Sequence, residues 1–260
     1  MILLVLLKQI SLEDFTHVIR RVSLLDLFII FILTIFVYFL RAYRFYHLFQ
    51  KKVPITKLFF IACIHNLANN ALPVRTGELS FFYLAKKYSS YKYPYISMSF
   101  AIVRILDLLS IILLFSIFLL FLPEGVPSIL SIMSVLGLIV FIAIIVLLIT
   151  AFYFQDKITS RLKSKTHNNK LKNKVVEILL GGITVIKLLK NQPIIFYKLV
   201  VSSLSIWILA YISTFILAKA MEVPITFSGA AVGTGFVVLG GILPINSFFG
   251  IGVNEGLWVL

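Results

Sequence analysis

The sequence predicts an all-α fold, a polytopic integral membrane helix bundle with re-entrant or broken helices, and three observations carry that prediction. Sixty per cent of the 260 residues are apolar and 13% are charged, which leaves a soluble domain of this size without enough polar surface to cover itself. Several stretches run about 18 residues or more with few or no charges, enough to cross roughly 30 Å of hydrocarbon at 1.5 Å per residue. Two apolar segments are interrupted by Pro and Gly with ionisable residues beside the break, and membranes accept such backbone only where it is buried in protein or lines a wet cavity.

Residues 1–7 are apolar but too short to span. Residues 23–40, 96–122, 128–154, 194–218 and 225–245 all reach spanning length. No small-residue cleavage site follows the opening apolar run, so it does not read as a signal peptide. Residues 256–260 stop at the start of another apolar segment. The chain therefore reads as a single transmembrane domain, 1–260, either truncated at one or both ends or opening on an interfacial stub. The one cysteine, Cys63, lies in an apolar stretch and implies no disulfide scaffold.

The formal net charge of +14 would suit nucleic acid by itself. Placement excludes that partner: Lys and Arg lie mostly between the apolar segments, where cytoplasmic loops meet anionic headgroups. The densest cluster, nine Lys or Arg in 157–190, is assigned inside, and 123–127, with none, outside. Segment 96–122 then runs outward and 128–154 inward. Residues 155–193 form a cytoplasmic basic loop with an amphipathic helix, whose narrow polar stripe is Lys174, Glu177, Gly181, Thr184 and Lys187. A helix lying in the headgroup region and a partner-binding helix both fit that stripe.

The same rule produces a conflict earlier in the chain. Residues 41–57 carry five Lys or Arg and 75–92 carry four, yet only the moderately apolar 58–72 lies between them. One crossing cannot join two inside loops. The segment is short and carries His65, Asn66, Asn69 and Asn70, so it is expected to re-enter on the side it came from.

Three polar constellations fall inside apolar sequence. Arg104 and Asp107, at i and i+3, share a helical face and are expected to pair, because an unpaired Arg at the bilayer centre costs at least about 2.5–3.5 kcal/mol; a contact between Arg104 and lipid phosphate is the other reading. The second runs from Asn69 and Asn70 through Pro73, Arg75, Gly77 and Glu78. Pro73 ends the preceding helix, Gly77 permits a turn, Arg75 offers a planar fork of donors suited to phosphate, and Glu78 suits that Arg or an amine. A plain loop with an ion pair is the simpler alternative. The third contains Pro244, Asn246, Gly250, Gly252 and Glu255. Its Gly-x-Gly lacks the third glycine and the strand-helix-strand setting of a dinucleotide loop, so a broken helix fits better. Gly229 and Gly233 ahead of it form Gly-x-x-x-Gly, a surface for close helix approach. The second and third constellations share Leu-Pro, then glycine, then Glu followed closely by Leu. Paired breaks of this kind in two halves of a chain point to a transport site near the midplane.

At these residues the chain resembles the flippase-like transmembrane domain family of lysylphosphatidylglycerol synthases, which includes stand-alone proteins. The matching features are Arg41-Ala42-Tyr43-Arg44-Phe45, Leu72-Pro73-Val74-Arg75-Thr76-Gly77-Glu78, Arg104-Ile105-Leu106-Asp107, and Pro244 to Gly252-Val253-Asn254-Glu255-Gly256. They cover most of the chain in the family's order. Phe45 stands where Trp is common in the family, and the sequence stops soon after the final Glu motif, where family proteins usually continue. The resemblance implies a multi-helix bundle in the plasma membrane of a prokaryote that moves an anionic or aminoacylated phospholipid, or a lipid-linked headgroup, across the bilayer. The alternative it leaves open is a glycosyltransferase, or an accessory to one, acting on lipid-linked sugars.

Motifs for zinc hydrolysis, serine esterase chemistry, thiol redox chemistry or metal-held sugar nucleotide are missing. No cofactor, metal or catalytic residue is assigned. The expected partners are anionic membrane lipids, with Asn70, Arg75, Gly77, Glu78, Arg104, Asp107, Asn246, Gly250, Gly252 and Glu255 as the candidate substrate-binding set.

Overall fold

The computed structural model describes residues 22–72, 76–122, 128–164 and 170–240, and every regular element among them is an α-helix. In chain order these are α1 (Leu24–Leu48), α2 (Ile55–Ala71), α3 (Glu78–Tyr88), α4 (Tyr93–Leu119), α5 (Ser128–Ser164), α6 (Lys170–Asn191), α7 (Pro193–Ala220) and α8 (Phe227–Gly240). Helices α1, α4 and α7 are each long and apolar enough to cross a membrane. The chain is an integral membrane protein built as an all-α bundle.

Local chemistry sets the helix ends. Ser23 caps α1, its Oγ accepting from Asp26 N–H at 3.1 Å and donating to the Asp26 carboxylate at 2.7 Å. At the other end Gln50 and Lys51 both take the left-handed conformation and stop the helix. Side chains from further along cap carbonyls at this turn, with Tyr95 Oη donating to Leu48 O at 2.6 Å and Tyr91 Oη to Phe49 O at 3.1 Å. Pro94 opens α4 within its first turn, where a missing N–H costs nothing.

Helix α4 is the centre of the bundle. Its inner half packs with α1, α2, α3, α6 and the start of α7 around a core that includes Leu48, Phe49, Leu58, Ile96, Val185 and Leu199, each 2% exposed or less. Its outer half packs with α7 and α8 through Leu114, Phe115, Tyr211 and Ala231. Close helix approach on α8 runs through Gly235, where an added Cβ would lie 3.0 Å from Phe115 and 3.3 Å from Tyr211 Oη. The outer half of α1 and the side of α5 expose Leu, Ile and Phe broadly, the surface a helix presents to hydrocarbon.

Helices α2 and α3 form a hairpin, and both of its ends lie at the lysine-rich end of the bundle. The Lys57 ammonium near the start of α2 sits 5.3 Å over the ring of Tyr88 at the end of α3. The flanking loops also meet, Lys52 lying 5.4 Å over Tyr91. The expectation that 58–72 turns back toward the side it came from matches this geometry. Helix α5 continues to Ser164, well into the basic stretch, and α6 packs across the start of α4. Gly181 does not sit in a polar stripe: an added Cβ there would lie 2.7 Å from Pro94, so it marks a helix contact instead.

Candidate functional site

The hairpin tip is fixed by a close backbone approach. After α2 the chain turns extended at Leu72 and returns through Thr76 and Gly77. A Cβ on Gly77 would fall 2.2 Å from Asn69 N and 2.3 Å from Ala68 C, so glycine is required here for space. Ser80 Oγ donates to the Gly77 carbonyl at 2.6 Å and steadies the turn. Glu78 is then the first residue of α3, with its carboxylate at the positive end of the helix dipole.

That carboxylate accepts from Arg104 Nη2 at 3.3 Å, which ties α3 to α4. Arg104 also lies 4.8 Å over the ring of Phe100 and places Nη2 3.3 Å from His65 Nε2 on α2. A guanidinium only donates, so His65 Nε2 is the acceptor and the ring proton sits on Nδ1. One turn along α4, Asp107 forms an ion pair with Arg44 of α1, and the same Nη1 donates to Ser203 Oγ of α7 at 2.8 Å. Arg44 is 2% exposed. Arg41 of α1 donates to Asn66 Oδ1 at 3.1 Å and lies 5.6 Å over the Tyr38 ring, while Asn66 Nδ2 donates to Tyr38 Oη.

Among the described residues, three guanidinium groups therefore face two carboxylates, an excess of positive charge inside apolar helices. Arg41, Arg44, Arg104, Asp107, His65 and Phe81 line a cavity of about 30 Å³, room for one or two waters. Phe45, Phe81 and Phe100 close it, with ring centroids of Phe45 and Phe81 4.5 Å apart and those of Phe81 and Phe100 4.9 Å apart.

The expected pairing of Arg104 with Asp107 is corrected. The ion pair of Asp107 is with Arg44, and that of Arg104 is with Glu78. Three residues along a helix is a rotation of about 300°, so the two side chains stand about 60° apart around α4. That offset aims Asp107 at α1 and α7 and Arg104 at the hairpin. Gly77, Glu78, Arg104 and Asp107 are brought together as a set, while Asn70 is exposed on the last turn of α2. Arg75, Asn246, Gly250, Gly252 and Glu255 lie outside the described residues, as does the second of the two proposed breaks. Sequence reasoning missed Arg41, Arg44 and His65 as members of the cluster. Arg41 and Arg44 were counted as loop charge, although their i, i+3 spacing at the end of an apolar run marks a shared helical face.

A family model described as Lysylphosphatidylglycerol synthase TM region matches residues 1–260, the whole chain. No curated protein and no solved structure matches it.

Proposed function

Because the chain belongs to the lysylphosphatidylglycerol synthase TM region family, we propose that it moves a phosphate-bearing lipid headgroup between leaflets, that of an anionic or aminoacylated phospholipid or of a lipid-linked precursor. The observation that carries this reading is the depth of the Arg104–Glu78 pair. With Tyr93, beside Lys92, placed at the hydrocarbon edge, Arg104 lies about 17 Å along α4, near the middle of a roughly 30 Å layer. Its side chain is 42% exposed and that of Glu78 32% exposed. Ionisable groups at that depth mark a substrate path when they face a cavity instead of being sealed.

The chemistry supports the same reading. An arginine fork matches the oxygens of a phosphodiester, and the excess of guanidinium over carboxylate among the described residues attracts an anion. A cavity of about 30 Å³ is far below the roughly 300–1,000 Å³ of a ligand pocket, so a headgroup requires the hairpin α2–α3 to part from α4. The contact to be broken is the half-exposed one, while the buried Arg44–Asp107–Ser203 junction keeps α1, α4 and α7 together. Transport needs only reversible binding, and every group in the cluster binds without forming a covalent bond.

The test is headgroup accessibility in proteoliposomes. Headgroup-labelled phosphatidylglycerol or lysyl-phosphatidylglycerol should reach an impermeant quencher faster with wild type than with Arg104→Gln. Equal rates in protein-free vesicles across several lipids would refute the reading. A sugar-transfer product from a lipid-linked donor would establish the glycosyltransferase alternative.

A further inference from the structure

The two ion pairs of the cluster are built for different tasks. Arg44 and Asp107 are sealed, with side chains 2% and 12% exposed, and Ser203 adds a third partner. Arg104 and Glu78 are reachable, with side chains 42% and 32% exposed and an N–O distance of 3.3 Å, and their pair links α3 to α4. Glu78 is thus a carboxylate already occupying an oxyanion position in front of an arginine.

A second observation is independent of that pair. His65 is 9% exposed and its Nδ1 has no hydrogen-bond partner; Arg44 Nε, on a residue 2% exposed, has none either. The Gly77 carbonyl lies near the imidazole, but both of its lone pairs are taken, by Ser80 N–H at 3.0 Å and Ser80 Oγ at 2.6 Å. Both orphaned groups belong to residues that line the cavity. Buried donors without acceptors are unfavourable and call for oxygen atoms from elsewhere. A carboxylate has two oxygens, whereas a phosphodiester brings two anionic oxygens and two esterified ones.

We propose that Glu78 is a resident counterion, which holds Arg104 until the phosphodiester oxyanion of the substrate displaces it, and that this exchange releases the hairpin from α4. The idea rests on the transport reading and assigns Glu78 its part in it: the carboxylate competes with the substrate instead of binding it. The displaced Glu78 swings with α3, and the phosphate takes over Arg104 and the unused donors of the cavity wall. No bond is made or broken covalently. The site then selects for one negative charge carried on phosphate, because that charge replaces the one Glu78 withdraws.

The experiment is calorimetric binding of dioctanoyl phosphatidylglycerol, and separately of inorganic phosphate, to the full chain in detergent. Glu78→Gln is expected to tighten the binding of dioctanoyl phosphatidylglycerol by up to about fivefold, the equivalent of removing one half-exposed ion pair, Glu78→Asp to bind like wild type, and Arg104→Gln to bind more weakly than wild type. The same gain with inorganic phosphate assigns the competition to the oxyanion alone; a gain confined to the lipid assigns it to the phospholipid, and either supports the proposal. Melting of each variant checks folding. A folded Glu78→Gln that binds dioctanoyl phosphatidylglycerol no better than wild type overturns the counterion role, and if wild type still moves labelled lipid in proteoliposomes the transport reading survives that result.

Discussion

Breaking the Arg44–Asp107 pair should damage folding far more than breaking the Arg104–Glu78 pair, and a double-mutant cycle measures the difference. The side chains of Arg44 and Asp107 are 2% and 12% exposed, so Asp107→Asn or Arg44→Gln strands a charge in low dielectric at a cost of about 3–5 kcal/mol. Arg104 and Glu78 are 42% and 32% exposed, and screened pairs of that kind contribute up to about 1 kcal/mol. Unfolding of the purified protein in mixed micelles, titrated with a denaturing detergent, gives the free energies. Each single change at Arg44 or Asp107 should lose most of the stability, and the double change should lose little more than the worse single one, a coupling of about 3 kcal/mol. Additive losses would refute the pairing. A stronger coupling of Asp107→Asn to Arg104→Gln than to Arg44→Gln would return the pair to a single helix and remove the distinction between scaffold and gate.

Gly77→Ala should destabilise by about 1–3 kcal/mol or more, since its Cβ would fall on the backbone of α2, which has no flexible tip to yield; a thermal melt unchanged from wild type would show that the turn does not make this approach. In a Cys63→Ser background, single cysteines at Lys52 and Lys87 should be labelled by an impermeant thiol reagent from the same side of the membrane, and labelling from opposite sides would sink the hairpin model. Tyr95→Phe removes the hydroxyl that caps Leu48 O at 2.6 Å and should cost about 1 kcal/mol, visible as a lower melting temperature without loss of lipid binding.

Much of this fold was legible in the sequence because hydrocarbon thickness and charge placement constrain it strongly. The expected spans 96–122 and 194–218 correspond to α4 (Tyr93–Leu119) and α7 (Pro193–Ala220), displaced by a few residues because Pro94 and Pro193 open their helices. The hairpin was legible for the same reason: two basic loops flanking one short segment admit no single crossing. Partner choice within the site was not legible. The spacing of Arg104 and Asp107 shows that they share a face, but a 60° difference around the helix sends one to α1 and the other to α3, and only tertiary packing decides that. Arg44 was hidden by the rule that found the topology, since counting cations as loop charge cannot tell one that snorkels outward from one that turns in toward Asp107. The glycine motif on α8 misled in a similar way: Gly229 and Gly233 match a contact pattern, yet the close approach to α4 and α7 is made at Gly235, where Phe115 and Tyr211 stand opposite.

The central claim, that a lipid phosphate comes to rest among Arg41, Arg44, His65 and Arg104, is tested most directly by crosslinking. Phosphatidylglycerol with a photoreactive group on its headgroup, reconstituted with the full chain and irradiated, should mark peptides of α1 around Arg41 and Arg44, of α2 around His65 and of α4 around Arg104. Those marks should fade in Arg104→Gln. Label confined to the lysines of the Lys52–Lys57 and Lys86–Lys92 rim, or to the lipid-facing sides of α1 and α5, and unchanged by Arg104→Gln, would contradict the account.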